Sequence, residues 1–266
     1  MNVPLDLGRL LVCPGRRLMG VVGKVITRSD VIARMLTDLE SYSIKLRQIY
    51  MSSIDNTVQS RALIFLDTTE SKTSLVELFR QYERHELIEV EAVLTSPIDG
   101  FLSDTISHPP TVIGGRSVIM RDEIYRGLLV GLREWFGAGG ENFLYHIGYR
   151  TGLAFGELHR ETAVRLGITD PIQIYENISR VMFQWAGFGI LDVKNLTPDG
   201  GEILVHDSFE CELGKGRVIP YSHFVRGIIA GTLSELFGRT YNVIEASCIA
   251  KGDPVCRFVA KAIQKE

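Results

Sequence analysis

Four cysteines in 266 residues are too few for a disulfide scaffold in a chain of this length. No run of 18 or more uncharged apolar residues occurs, so no membrane-spanning helix is expected. Lys and Arg number 29 against 32 Asp and Glu, a formal net charge of −3. With no long basic block either, direct binding to nucleic acid is not expected. The start, from Met1 to Gly8, lacks the basic residues and apolar run of a secretory signal, and a reduced, cytoplasmic setting is the expectation. Enzyme fingerprints are missing too. There is no GxxxxGK followed by Ser or Thr, no GxGxxG opening a helix, no HExxH and no GxSxG.

What is present is a core. Hydrophobic residues make up 45% and charged residues 23% of the chain, the balance of a globular protein with one large domain or two ordinary ones. Residues 18–26 are apolar and β-branched and read as a strand. A helix follows, with Val31, Ile32, Met35, Leu36 and Leu39 at helical period. Strands at 45–52 and 59–67, a helix at 71–86 and a strand at 87–95 complete a βαββαβ order, which is ferredoxin-like. This half resembles the regulatory ACT domain, a resemblance that implies a small effector or a dimerising role. Residues 1–15 read as an arm without regular structure. Turn formers crowd residues 96–115, so the boundary is placed at Pro109-Pro110, giving domains 1–108 and 109–266.

In the second domain a short strand is expected at 117–120. A helix then opens at Asp122, with Ile124, Leu128, Leu132 and Trp135 as its buried face, and Gly137 ends it. The next helix, 141–166, carries Gly148-x3-Gly152-x3-Gly156, which reads as a seam for close helix approach. Asp170-Pro171 starts another helix. A hairpin of strands 188–193 and 202–211 comes next, then a helix at 220–237 with Gly227-x3-Gly231. The fold class is therefore α+β, with mixed helices and antiparallel sheet in the C-terminal domain.

The last segment concentrates the chemistry. Cys248 and Cys256 flank Gly252-Asp253-Pro254, so a hairpin folded there would bring them to about 5 Å between Cβ atoms. Two such thiols can share a metal, form a disulfide or simply pack. Glu245 precedes Cys248 by three, and zinc accepts a mixed sulfur and oxygen set of this kind.

The pattern His223-Phe224-x2-Gly227, Gly238, Glu245-x2-Cys248, Gly252-Asp253 and Cys256-x-Phe258 resembles the C-terminal signature of the 4-vinyl reductase domain family. That family includes sensor modules of phenol-responsive activators and is similar in fold to small TRAPP subunits. The resemblance implies a structural zinc held by Glu245, Cys248, Cys256 and a cysteine preceding the long helix. Ser222 stands at that last position here, and a hydroxyl is a poor zinc ligand. His223 is taken as the fourth donor, with Cys211 as the other candidate. The resemblance also implies an enclosed ligand cavity, which makes Tyr175, Trp185, His206 and Phe209 ligand-binding candidates. The function expected is a non-enzymatic sensor or carrier of a hydrophobic or aromatic molecule, working as a homodimer. The alternatives are an interaction scaffold of the TRAPP kind and an accessory protein or reductase in tetrapyrrole metabolism.

Overall fold

Strand-forming residues open the chain, and the first of them do more than the sequence suggests. The structure, a computed structural model, describes residues 4–53 and 58–264. It divides into two units, Met1–Val118 and Ile119–Glu266. In the first, β1 (Leu10–Val12) lies within the segment expected to be an irregular arm. Next come β2 (Leu18–Ile26), α1 (Ser29–Ser41), β3 (Lys45–Ser53), β4 (Gln59–Asp67), α2 (Leu75–Arg84), β5 (Ile88–Thr95) and β6 (Phe101–Ser103). The main sheet has the order β3-β4-β2-β5 with every pair antiparallel, which realises the βαββαβ order.

Both faces of this sheet are apolar. On one, Val21, Val25, Ile64 and Leu66 pack against Met35 and Leu39 of α1 and Leu78, Phe79 and Tyr82 of α2. On the other, Leu18, Val22, Leu63, Phe65 and Leu94 pack with Leu102, Leu11 and Cys13. That second face explains β1: it pairs with β6 because Leu11 and Leu102 supply the cover. After them β7 (Thr111–Val112) and β8 (Gly115–Arg116) form a minimal hairpin, and the strand expected at 117–120 is not made.

The second unit contains α3 (Asp122–Phe136), α4 (Ala138–Arg165) and a helix in three parts. These parts are α5 (Pro171–Ile174), a π-helical turn at Tyr175–Ser179, and α6 (Arg180–Trp185). Then follow β9 (Ile190–Thr197), β10 (Gly200–His206), α7 (Phe209–Glu212), α8 (His223–Phe237), β11 (Tyr241–Ser247) and β12 (Cys256–Ala262). The antiparallel sheet runs β11-β12-β10-β9. α8 is buried almost throughout and packs on both the sheet and α4, with Val225, Ile228, Ile229 and Leu233 in one core with Ile203, Val205, Val243 and Phe258. Backbone meets backbone where α4 and α8 cross. A Cβ on Gly148 would overlap the Phe224 carbonyl, one on Gly152 the Ile228 carbonyl, and one on Gly231 the Tyr149 carbonyl. The small-residue stripe therefore serves the close helix approach read from its spacing.

Two expectations are corrected here. The inward side of α3 is carried by Leu129 and Arg133, while Ile124, Leu128 and Trp135 are exposed, Trp135 to 79%. The cause is a buried ion pair between Arg133 and Glu210, which fixes the side of the helix that turns inward. The strand expected to reach residue 211 stops at His206. Asp207 adopts a positive φ of 54°, and the chain then coils into α7.

Candidate metal centre

Three short-range features shape the site. Gly252, at φ 94°, closes the 3-10 turn Ile249–Lys251, a conformation that glycine adopts without a Cβ penalty. Asp253 accepts a hydrogen bond from the Cys248 amide at 2.8 Å, and its own amide donates back to the Cys248 carbonyl. Downstream of α7, the Gly216 amide donates to the Ala250 carbonyl, tying that loop to the same turn. Cys248 and Cys256 thus converge from the open end of the β11–β12 pair. They are not a cross-strand pair, since Glu245 faces Phe258 and Ser247 faces Arg257.

Cys211, Glu245, Cys248 and Cys256 meet there. Their ligand atoms all lie within 4.8 Å of one another, and all four residues are buried. Cys211 Sγ is 3.4 Å from Cys248 Sγ and 3.7 Å from Glu245 Oε1. Zinc–sulfur bonds of about 2.3 Å in a tetrahedron place sulfurs roughly 3.8 Å apart, so these separations match a shared ion with little movement. The Ile249 amide donates to Cys256 Sγ at 3.4 Å, as amides do to metal-bound thiolates. All four cysteines of the chain are free thiols, so the disulfide alternative is not realised.

Electrostatics point the same way. Burial, reinforced by Cys248, pushes the Glu245 carboxyl up to about 8. Hydrogen bonds from Cys211 and Cys256 pull the Cys248 thiol down, and the same contact with Cys248 pushes Cys211 up. Without a cation, protein hydrogen bonds can stabilise little more than one anion in this cluster. A divalent ion removes the conflict, and the residues present therefore fit a metal.

His223 does not join them. Its Nδ1 lies 3.3 Å from the Tyr221 carbonyl and its Nε2 3.7 Å from Glu141. Ser222 faces the cluster instead: its Oγ is 2.7 Å from Cys211 Sγ, and its amide donates to Glu245 Oε2 at 3.0 Å. The position that the resemblance assigns to a cysteine is thus occupied by a hydroxyl bonded to the thiol that replaces it.

Beside the cluster, Glu210 is fully buried. It accepts amide hydrogen bonds from His223, Phe224 and Val225, the first turn of α8, and pairs with Arg133. The Arg133 guanidinium lies 3.9 Å over the Tyr221 ring and donates to the Tyr221 carbonyl. Neither residue carries a signal in the sequence, where a lone Arg on a helix and a lone Glu read as solvated.

The ligand candidates separate. Phe209 sits among aromatic rings, 5.2 Å from Tyr125, 5.1 Å from Phe188 and 6.3 Å from Phe224. Phe188 extends this run to Phe155 and Phe183. Tyr175 is buried at the start of the π turn. Trp185, 62% exposed, and His206 lie on the surface. At the π turn, His159 Nδ1 meets Ser179 Oγ at 2.9 Å, a buried pair absent from the sequence reading.

Comparison with known proteins places these residues in a family context. The 4-vinyl reductase domain model matches residues 202–262, a segment containing all four candidate ligands. The resemblance read from the sequence is borne out over that segment. An uncharacterized protein of Methanocaldococcus jannaschii is 28% identical over 159 residues, covering 60% of this chain and 84% of that protein. A second from the same organism is 31% identical over 119 residues, 44% of this chain and 48% of its own length. Among solved structures, the phenol-responsive sensory domain of the transcription activator PoxR with phenol has a TM-score of 0.49 at 20% identity, covering 56% of this chain and 78% of its own. A vinyl-4-reductase family protein from Methanocaldococcus jannaschii gives 0.40 at 22%, with 56% and 85% covered. A trafficking protein particle complex subunit 3 from Naegleria fowleri, covalently bound to palmitic acid, gives 0.42 at 17%, with 55% and 95% covered. No described helix of this chain is long and apolar enough to cross a membrane.

Proposed function

We propose that this protein is a non-enzymatic sensor or carrier of a small hydrophobic or aromatic molecule, built on a structural zinc site. The observation that carries the reading is the buried donor set of three thiols and one carboxylate. Four protein donors fill a tetrahedron and leave no position for water, the signature of a structural rather than a catalytic ion. Bound there, zinc would tie α7 to the β11–β12 end of the sheet. The ligand would bind against the half-buried rings around Phe209, with Tyr175 a further lining candidate. The N-terminal unit, ACT-like in this reading, would add an effector response or a dimer contact, and the working form is a homodimer.

A second reading, an interaction scaffold, is favoured by the uncovered apolar face of α3, where Ile124, Leu128 and Trp135 are exposed. Native mass spectrometry of the purified chain separates the two. One zinc per chain, a small organic mass and a dimer support the sensor. A metal-free chain without ligand refutes it and leaves the scaffold. Reduction of a vinyl-bearing tetrapyrrole by the chain with an added reductant would replace both with an enzyme.

A further inference from the structure

Cys211 is the donor that family likeness did not assign first, and it rides on a weak support. α7 has four residues, too few to hold a helical shape alone. Its conformation is fixed by what its side chains grip. Phe209 is wedged among Tyr125, Phe188 and Phe224. Glu210, next to Cys211, is clamped by three amides of α8 and by the Arg133 guanidinium. Arg133 also donates to the Tyr221 carbonyl at 2.7 Å and covers its ring. That fixes Tyr221, the residue before Ser222, whose hydroxyl touches the Cys211 sulfur. The same guanidinium thus braces the Cys211 thiol from two sides.

We infer that Glu210 and Arg133 are positioning residues for the metal centre: they set how tightly the chain holds its ion by fixing Cys211, without touching the ion. The inference rests on the metal reading above. Residues that orient ligands in this way typically govern metal affinity by about 10–100-fold.

The test uses the full chain, zinc in competition with a chromophoric chelator, and cobalt(II) absorption as a count of bound thiolates. Glu210→Gln should weaken zinc binding at least tenfold and reduce thiolate-to-cobalt charge transfer. In a Cys211→Ser background the same change should have almost no further effect on affinity, because its route to the ion has been removed. A merely structural Glu210 would lower the melting temperature of the metal-free chain while leaving affinity and cobalt spectrum unchanged, and that result overturns the inference. A loss of equal size in the Cys211→Ser background overturns it as well. If Glu210→Gln does not fold, Arg133→Lys, which keeps the charge but loses the planar fork, carries the same expectations. A wild-type chain that binds neither zinc nor cobalt removes the metal reading itself. A wild-type chain that binds while both variants match it removes this inference alone.

Discussion

Replacing Gly152 by alanine sets two known effects against each other in the α4–α8 seam. An alanine in a helix interior is favoured over glycine by about 0.8–1.0 kcal/mol. At this position the new Cβ would overlap the Ile228 carbonyl oxygen, lie 2.8 Å from the Thr232 amide nitrogen and 3.0 Å from the Gly231 Cα. All three are backbone atoms of a buried helix, so no side chain can swing aside and the helices must separate. Overpacking costs about 1–3 kcal/mol where side chains can adjust, and a backbone clash belongs at the upper end. The net expectation is a loss of roughly 2 kcal/mol. Gly131 on α3 is the control. A Cβ there meets nothing within 4 Å, so Gly131→Ala should gain close to the full propensity term. Both tryptophans, Trp135 and Trp185, belong to the second unit, so fluorescence-detected urea unfolding follows that unit. The two variants should differ by about 3 kcal/mol, lying in opposite directions from wild type. A Gly152→Ala protein as stable as wild type would refute the seam described here.

The buried His159 gives a pH expectation. Burial lowers it from 6.5 to about 4, so between these values the unfolded chain binds the proton and the folded chain does not. Its contribution is complete above about pH 6.5, falls as the pH drops towards 4 and levels below that, a loss of about 3 kcal/mol. Stability curves of wild type and His159→Gln should therefore converge across that window, and parallel curves would exclude the assignment. A donor swap tests the geometry of the metal centre. Because Ser222 Oγ lies 2.7 Å from Cys211 Sγ, Ser222→Cys should restore zinc binding to a Cys211→Ser chain, read by chelator competition. No recovery would mean that the two positions do not address the same ion.

Local patterns are legible where local physics decides. The βαββαβ order, the glycine seam and the Glu245–Cys248–Cys256 group can be read because period, turn chemistry and spacing are short-range properties. What cannot be read depends on partners far away in the chain. β1 exists because Phe101–Ser103 returns to pair with it. The exposed side of α3 is misread because its apolar period is real, while Arg133 is drawn inward by Glu210, 77 residues away. The fourth donor is misassigned to His223 for a similar reason. Adjacency to Ser222 points to it, whereas α7 folds back to bring Cys211 to the same place from eleven residues upstream.

The charges around the start of α8 explain why a cation belongs there. Two buried carboxylates, Glu210 and Glu245, converge on the amides of residues 222–225, where the helix end favours negative charge. Those amides are already divided: three go to Glu210 and the Ser222 amide goes to Glu245. Glu210 has Arg133 as its counter-ion. Glu245 has no Lys or Arg beside it among the described ion pairs, and its other neighbours are thiols that would themselves ionise. A buried anion without a partner is costly, and it is relieved either by taking up a proton or by a cation. Protonation would leave four polar groups packed around one another without a structural purpose. A divalent ion would balance Glu245 and the thiolates together, as Arg133 balances Glu210, and the helix end would then stand between two matched charges.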